Sequence, residues 1–248
     1  MDNTLTNKRI WEIDALRGLL IPGMIMIHLI YDVVDLYGFI HWPYPAWYSI
    51  FKNNYGALFV ALSGLSVTLG RRSLRRGVTV FAGGMCCTVV TAGMYFLGMA
   101  GRGIVIYFGV LHCLGVCMML WPLFRKWNLW ALAAAGVALV AAGWVLRTHI
   151  YVDMPWLLPL GFRFYGFSSS DYFPLMPNLG YFLLGAATGR GLYSQKRSLL
   201  PKVPTDNAFV RFWCWCGRNS LAIYLLHQPV LAALCEGYAL FIEKVVNR

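Results

Sequence analysis

The sequence predicts an all-α, polytopic membrane protein that crosses the bilayer about seven times, with its N-terminus inside and its C-terminus outside. Composition is the first reason. Of 248 residues, 59% are hydrophobic and only 12% are charged, whereas roughly a quarter of the residues in soluble domains are charged. The second reason is a series of charge-free runs, the longest covering 25 residues from 77 to 101. A helix needs ~20 mostly apolar residues to cross ~30 Å of hydrocarbon. The third is the uneven distribution of Lys and Arg between the loops.

These observations exclude several classes of protein. Intrinsic disorder requires few apolar groups and much charge, and 21 basic and 10 acidic residues cannot cover a soluble globule this apolar. Membrane β-strands would alternate in polarity over ~10 residues, which these long runs do not. The first apolar stretch contains Asp14 and Arg17 and continues to Asp32, so it predicts a helix rather than a cleavable signal.

Seven spans follow from the apolar runs, within a single integral membrane domain covering 1–248. They are predicted at 13–36, 47–70, 77–99, 104–124, 128–147, 171–193 and 217–240. The basic stretch 194–211 contains two prolines and is predicted to link the last two spans.

The orientation follows from the positive-inside rule. With the N-terminus inside, 15 of the Lys and Arg residues lie in inner segments or at inner helix ends, and 6 lie outside. The net charge of +11 therefore reflects membrane topology. Because the basic residues sit in short loops beside apolar helices, a nucleic-acid partner is not expected.

Ionisable side chains inside hydrocarbon are costly and indicate function. The first helix holds four of them: Asp14, Arg17, His28 and Asp32. Asp14 and Asp32 are 18 positions apart, which is five full turns, so they share a face. Arg17 and His28 are 11 positions apart, which places them ~16 Å apart along the axis. His28 and Asp32 are i,i+4 neighbours that can interact.

Two other apolar helices each contain a single histidine, His112 and His227. A lone histidine in an apolar helix is usually a satisfied core residue, and for these two the structural and the functional interpretations stay open. Ser220 lies seven positions before His227 and shares its face. Asp171 opens the predicted sixth helix, where a carboxylate either caps the helix or faces a substrate at the outer mouth.

Four segments together resemble one family. Arg17, ten further positions and then His28, after Ile13-Asp14-Ala15-Leu16, resemble the first-helix signature of the transmembrane acyltransferase superfamily. The other three segments resemble a bacterial branch named for the catalytic domain of heparan-α-glucosaminide N-acetyltransferase, and the resemblance runs from about residue 9 to 235. They are Tyr107-Phe108-Gly109-Val110-Leu111-His112-Cys113-Leu114-Gly115, Ser170-Asp171-Tyr172-Phe173-Pro174-Leu175 and Gly217-Arg218-Asn219-Ser220-Leu221-Ala222-Ile223-Tyr224-Leu225-Leu226-His227-Gln228-Pro229.

The resemblance implies a multi-pass enzyme of the bacterial cytoplasmic (inner) membrane. Such an enzyme transfers an acyl group, acetyl in the first instance, from cytoplasmic acyl-CoA to a hydroxyl or amine of a sugar-like or envelope acceptor. By motif position, Arg17 would hold the phosphates of the donor, and His28 would be the catalytic base or a transient acyl carrier. Acyl-CoA is the only cofactor-like molecule expected, as donor substrate, and no metal is expected.

A mechanism assigns the remaining polar residues. Asp32 would orient His28 and stabilise its charged form, as in a hydrolase triad. Asp14 and Arg218 would assist Arg17 in binding the donor. Substrate contacts, including hydrogen bonds to a developing oxyanion, are predicted for His112, Asp171, Tyr172, Asn219, Ser220 and His227.

Other functions compete with acyl transfer. A proton-coupled small-molecule transporter could use mid-membrane His and Asp residues as a relay, although the chain contains no inverted repeat. A haem-binding electron carrier and a purely structural subunit are further alternatives. The sequence leaves open the acceptor, the acyl chain length and the oligomeric state, a homodimer included.

Overall fold

The computed structural model describes residues 10–149 and 152–246, and these residues are built from helices joined by short loops. The α-helices are α1 (Trp11–Tyr31), α2 (Ala46–Val67), α3 (Ser73–Phe96), α4 (Val110–Phe124), α5 (Leu129–His149), α6 (Leu175–Leu192), α7 (Ala208–Arg218) and α8 (Ser220–Val246). The all-α prediction is confirmed for this part of the chain.

Within the described residues, four helices are long and apolar enough to cross a membrane. They cover Trp11–Leu36, Ser73–Phe96, Leu129–Leu146 and Ser220–Val245, which coincide with four of the predicted spans. Helices α2, α4 and α6 form near the predicted positions, but α4 has only 15 residues. Seven crossings therefore remain a prediction, whereas the membrane character of the chain follows from the four long helices.

The start of α4 differs from the sequence prediction by six residues. The span expected at 104–124 begins at Val110, because a 3₁₀ turn at Arg102–Ile104 and a short non-helical stretch precede it and bond to the segment before α6. The Phe173 amide donates to the Phe108 carbonyl at 2.9 Å, and the hydroxyls of Ser169 and Ser170 donate to the carbonyls of Val105 and Ile104. For the same reason α6 begins at Leu175, not at 171.

The predicted link 194–211 and span 217–240 are also corrected. A separate helix, α7, begins at Ala208, where the Asn207 side chain accepts a hydrogen bond from the Phe209 amide at 2.9 Å. This is an N-cap, which satisfies one of the backbone donors left free at a helix start. Asn219 separates α7 from α8, so the last apolar helix begins at Ser220.

The chain forms two compact units. The first unit contains the described parts of Met1–Gly56 and Leu200–Arg248, and the second contains Ala57–Leu199. In the first unit, α1 packs against α7 and α8. In the second, α3 packs against α4, and α5 packs against α6.

Glycines allow α1 and α7 to approach closely. A Cβ on Gly18 would overlap the carbonyl oxygen of Trp213, and a Cβ on Gly217 would overlap the carbonyl oxygen of Asp14. Neither backbone oxygen can move aside without shifting a helix. These two glycines therefore bring the polar N-terminal end of α1 into direct contact with the end of α7.

Helix α1 widens at its C-terminal end. Residues Asp32–Leu36 form a π-helical turn, in which the Tyr37 amide donates to the Asp32 carbonyl at 2.8 Å. Such single turns occur frequently at functional sites. Here the turn begins at a buried carboxylate.

Candidate active site

Two histidines meet where α1 contacts α8. The ring centroids of His28 and His227 are 4.7 Å apart, with the planes at 77°. His28 Nδ1 lies 2.9 Å from the Met24 carbonyl, and His227 Nδ1 lies 2.5 Å from the Tyr224 carbonyl. Each ring is thus fixed by a carbonyl of its own helix and by the other ring.

The hydrogen bonds assign the tautomer of both rings. A carbonyl oxygen only accepts, so Nδ1 carries a proton in each histidine. In the neutral ring, Nε2 then holds a lone pair that can accept a proton. His227 Nε2 is buried and has no hydrogen-bond partner among the described residues. This arrangement can hold and move protons inside the apolar part of the molecule.

A buried carboxylate lies one turn beyond His28. Asp32 is fully buried, at 0% exposure, and both of its oxygens accept hydrogen bonds from Gln228 Nε2, at 2.8 and 3.0 Å. The i,i+4 spacing predicted a pairing of Asp32 with His28, and Gln228 was not among the predicted site residues. The signal was present, because Gln228 directly follows His227 in the motif of the last helix.

Gln228 has one further polar atom at this site. Since a carboxylate only accepts, the amide nitrogen of Gln228 must face Asp32, which turns Oε1 away. This oxygen is buried without a hydrogen-bond partner in the described part of the chain. Buried polar atoms are nearly always bonded. Two successive residues of α8, His227 and Gln228, thus each have one buried polar atom without a partner among the described residues, and a polar ligand could satisfy such atoms.

The predicted donor residues form a second cluster at the other end of α1. Arg17 Nη1 donates to Asp14 Oδ1 at 3.3 Å and to the Gly217 carbonyl at 3.4 Å. Arg218 Nε donates to Asp14 Oδ2 at 3.4 Å, while 50% of its side-chain surface stays exposed. The structure therefore brings Asp14, Arg17 and Arg218 together, with the carboxylate between the two guanidinium groups.

Asn219 and Ser220 lie beside this arginine cluster along the chain. The Asn219 side chain donates to the Trp215 carbonyl at 2.9 Å and so closes the end of α7. Ser220 begins α8, and the seven residues from there to His227 rise ~10 Å. These two residues are therefore about two helical turns away from the histidine pair.

His112 lies in the second unit, where both of its ring nitrogens are occupied. It is 2% exposed. Nδ1 accepts from the Gly109 amide at 3.1 Å, and Nε2 lies 3.2 Å from the Thr88 hydroxyl, which itself donates to the Ile106 carbonyl at 2.7 Å. Nε2 must therefore carry the proton, which is the opposite tautomer to that of His28.

Asp171 and Tyr172 are also in the second unit. Asp171 Oδ2 accepts from the Val110 amide at 3.0 Å, so this carboxylate caps α4 rather than α6. The Tyr172 hydroxyl donates to the Leu158 carbonyl at 2.7 Å, and the guanidinium of Arg163 lies 5.3 Å from the centre of the Tyr172 ring.

The turn after α1 is closed by a polar contact in the first unit. The Tyr44 hydroxyl donates to Asp35 at 2.5 Å, and Lys52 Nζ lies 4.0 Å from the same carboxylate. Burial raises the pKa of Tyr44, and the hydrogen bond to Asp35 raises it further. The phenol therefore stays protonated and keeps donating well into the alkaline range.

Comparison with known proteins gives one match. The family model described as "Heparan-alpha-glucosaminide N-acetyltransferase, catalytic" matches residues 9–229, which is most of the chain. No curated protein and no solved structure matches it. The matched range contains Arg17, His28, Asp32 and His227, whose contacts are described above. The chain therefore belongs to the family of heparan-alpha-glucosaminide N-acetyltransferase catalytic domains, a family of membrane N-acetyltransferases.

Proposed function

We propose that the protein transfers an acyl group, acetyl in the first instance, from acyl-CoA in the cytoplasm to a hydroxyl or amine of a sugar-like or envelope acceptor. Family membership supports the type of transfer. One observation supports a role for particular residues: His28 is fixed through Nδ1 and packs against His227. Nε2 of His28 is therefore the nitrogen that can accept a proton inside the membrane region.

The reaction needs one proton to move twice. His28 Nε2 takes the proton of the acceptor hydroxyl or amine as that atom attacks the thioester carbonyl. The carbon–sulfur bond then breaks, and the CoA thiolate leaves with the proton that the imidazolium returns. A transient acyl group on His28 is the alternative course, in which the same nitrogen attacks the thioester first.

Asp32 and His227 support this chemistry in different ways. The Asp32 carboxylate, held by Gln228, stabilises the positive charge that His28 acquires. The buried Nε2 of His227 accepts a hydrogen bond from the acceptor and orients it. Both roles require only that the acceptor enters between α1 and α8.

The donor binds at the opposite end of α1. Arg17 and Arg218 attract the phosphates of the donor, and Asp14 positions both guanidinium groups. Arg17 and His28 are ~16 Å apart along the helix axis. The pantetheine arm is long enough to cover this distance, so the phosphates can lie at Arg17 while the thioester lies at His28. Asn219 and Ser220, next to Arg218 in the chain, remain proposed substrate contacts on this side.

The three predicted residues of the second unit all make hydrogen bonds within the fold. Both nitrogens of His112 are used within the fold, so we assign it a structural role. Asp171 caps α4 and Tyr172 bonds to Leu158. These two remain proposed contacts for the acceptor at the outer mouth.

Substitution of His28 tests the proposal. Membranes containing the full chain are incubated with acetyl-CoA labelled in the acetyl group, and total label transferred to membrane and envelope material is counted. We expect His28→Ala to lower transfer by at least 100-fold, because general base catalysis contributes 10²–10⁴-fold. His41→Ala, at an exposed turn residue, is the matched control and keeps wild-type transfer. Wild-type transfer by a folded His28→Ala protein would end the proposal.

A proton-coupled transporter is the second candidate. Two facing histidines beside a buried carboxylate are also what a proton relay requires. Proton flux across liposomes that contain the purified protein and no acyl-CoA would favour this function. Acyl transfer without such flux would exclude it.

A further inference from the structure

Helix α7 carries a groove of which the proposed mechanism uses only Arg218. Its volume is about 440 Å³, and it is lined by Ala208, Arg211, Phe212, Trp215 and Arg218. These positions are three, four and seven residues apart, which places them on one face of the helix. The opposite face contains Cys214 and Gly217 and packs against α1. The groove therefore lies on the side of α7 that faces away from α1.

The lining combines two cations with two open aromatic rings. Phe212 is 54% exposed and Trp215 is 58% exposed. Arg211 and Arg218 flank these rings, and their seven-residue spacing corresponds to ~10 Å along the helix. Aromatic rings stack on bases, and guanidinium groups bind phosphate in a bidentate way. A nucleotide that carries phosphate groups on both its 3′ and 5′ oxygens matches this lining, because its base can stack on a ring while each phosphate group meets one arginine.

The groove and the proposed donor site share one residue, Arg218. Arg218 lines the groove and bonds to Asp14, and Asp14 also bonds to Arg17. A molecule in the groove is thus connected through a single arginine to the cluster from which the thioester would extend towards His28.

We propose that this groove binds the 3′-phosphoadenosine diphosphate end of acyl-CoA. The adenine stacks on the indole of Trp215, Arg211 holds the 3′-phosphate, and Arg218, which bonds to Asp14 of the donor cluster, holds the diphosphate. This assignment rests on the proposed acyltransferase function, since only that function supplies the nucleotide. An anionic lipid headgroup offers a phosphate but no base for Trp215, so the groove fits the nucleotide better.

Binding of adenosine 3′,5′-bisphosphate to the purified full chain tests the assignment. We expect Trp215→Ala to raise Kd by about 5-fold or more, because stacking on an aromatic side chain contributes ~1–3 kcal/mol per base. Arg211→Gln should weaken the bisphosphate more than it weakens AMP, which lacks the 3′-phosphate. Phe209→Ala is the control, because Phe209 is an exposed aromatic residue of the same helix outside the groove, and it should leave Kd unchanged.

A kinetic comparison separates this inference from the acyltransferase proposal. Trp215→Ala should raise KM for acetyl-CoA and leave KM for acetyl-phosphopantetheine, which lacks the adenosine, unchanged. Bisphosphate binding that depends on Trp215 in a protein without transferase activity would contradict only the proposed function. Equal effects on both donors, unchanged Kd in Trp215→Ala, or a groove that binds phosphatidylglycerol vesicles and not the bisphosphate would overturn the inference.

Discussion

At the scale of single residues, the chemistry depends on which nitrogen of each histidine is occupied. His28 and His227 use Nδ1 on a carbonyl of their own helix, so Nε2 is the acid–base nitrogen. His112 uses both nitrogens within the fold. The sequence placed all three at similar depth in apolar helices but could not distinguish them, because the tautomer depends on partners from neighbouring loops and helices.

Gln228 provides a test of the buried carboxylate. We expect Gln228→Leu to lower the free energy of unfolding by ~1–3 kcal/mol, because Asp32 then loses its two hydrogen bonds while remaining buried. The kcat for acetyl transfer should fall, with KM for acetyl-CoA unchanged, because Gln228 lies at the histidine pair and not at the arginines. Thermal unfolding in detergent and steady-state kinetics measure the two effects.

The control for this variant is Leu226→Ala, a neighbouring exposed residue of α8. It should change neither kcat nor stability appreciably. An unaltered kcat in Gln228→Leu would show that the Asp32–Gln228 pair serves packing alone.

At the scale of elements, the contact between α1 and α7 sets the position of the arginine cluster. The sequence predicted α1 well, because its long apolar run with polar residues on one face is a strong signal. It missed α7, because Arg211 and Arg218 interrupt the apolar pattern and the preceding prolines suggested a linker. It also placed the start of α4 too early, since pairing between extended segments distant in the chain leaves no local signal.

A glycine pair tests the α1–α7 contact. Gly18→Ala should destabilise the protein by ~1–3 kcal/mol, since the new methyl group would overlap the Trp213 carbonyl and push the helices apart. It should also raise KM for acetyl-CoA, because Arg17 and Arg218 would separate. Gly237→Ala is the matched control: in α8 a Cβ there meets no described atom within 4 Å, and alanine favours a helix by ~1 kcal/mol over glycine. Equal melting temperatures for the two variants would contradict the close contact.

At the scale of the whole molecule, the proposed acyl transfer requires a donor side and an acceptor side of one membrane. Four helices in the described part of the chain are long and apolar enough to cross it, and the Lys and Arg distribution favours the N-terminus inside. Composition alone predicted the membrane setting. The number of crossings is harder to predict, because a short helix such as α4 has the same composition as a full span.

Reporter fusions test the seven-span topology directly. Alkaline phosphatase, which is active only outside the cytoplasm, should be active when fused after Trp42, Gly101 or Asp153. It should be inactive when fused after Arg72, Lys126 or Leu200. Activity on both sides of α2 would show that this helix does not cross the membrane, and the predicted orientation of every later loop would then be reversed.

A structure of the full chain bound to a thioether analogue of acetyl-CoA, which cannot release its acyl group, would show directly whether one donor molecule reaches from the arginine cluster to His28. We expect the phosphates beside Arg17 and Arg218. The acyl carbonyl should face His28 Nε2, with room for one acceptor atom at the ~3–3.5 Å separation of reacting atoms. An analogue bound with its carbonyl away from His28, or with its phosphates away from both arginines, would contradict the account.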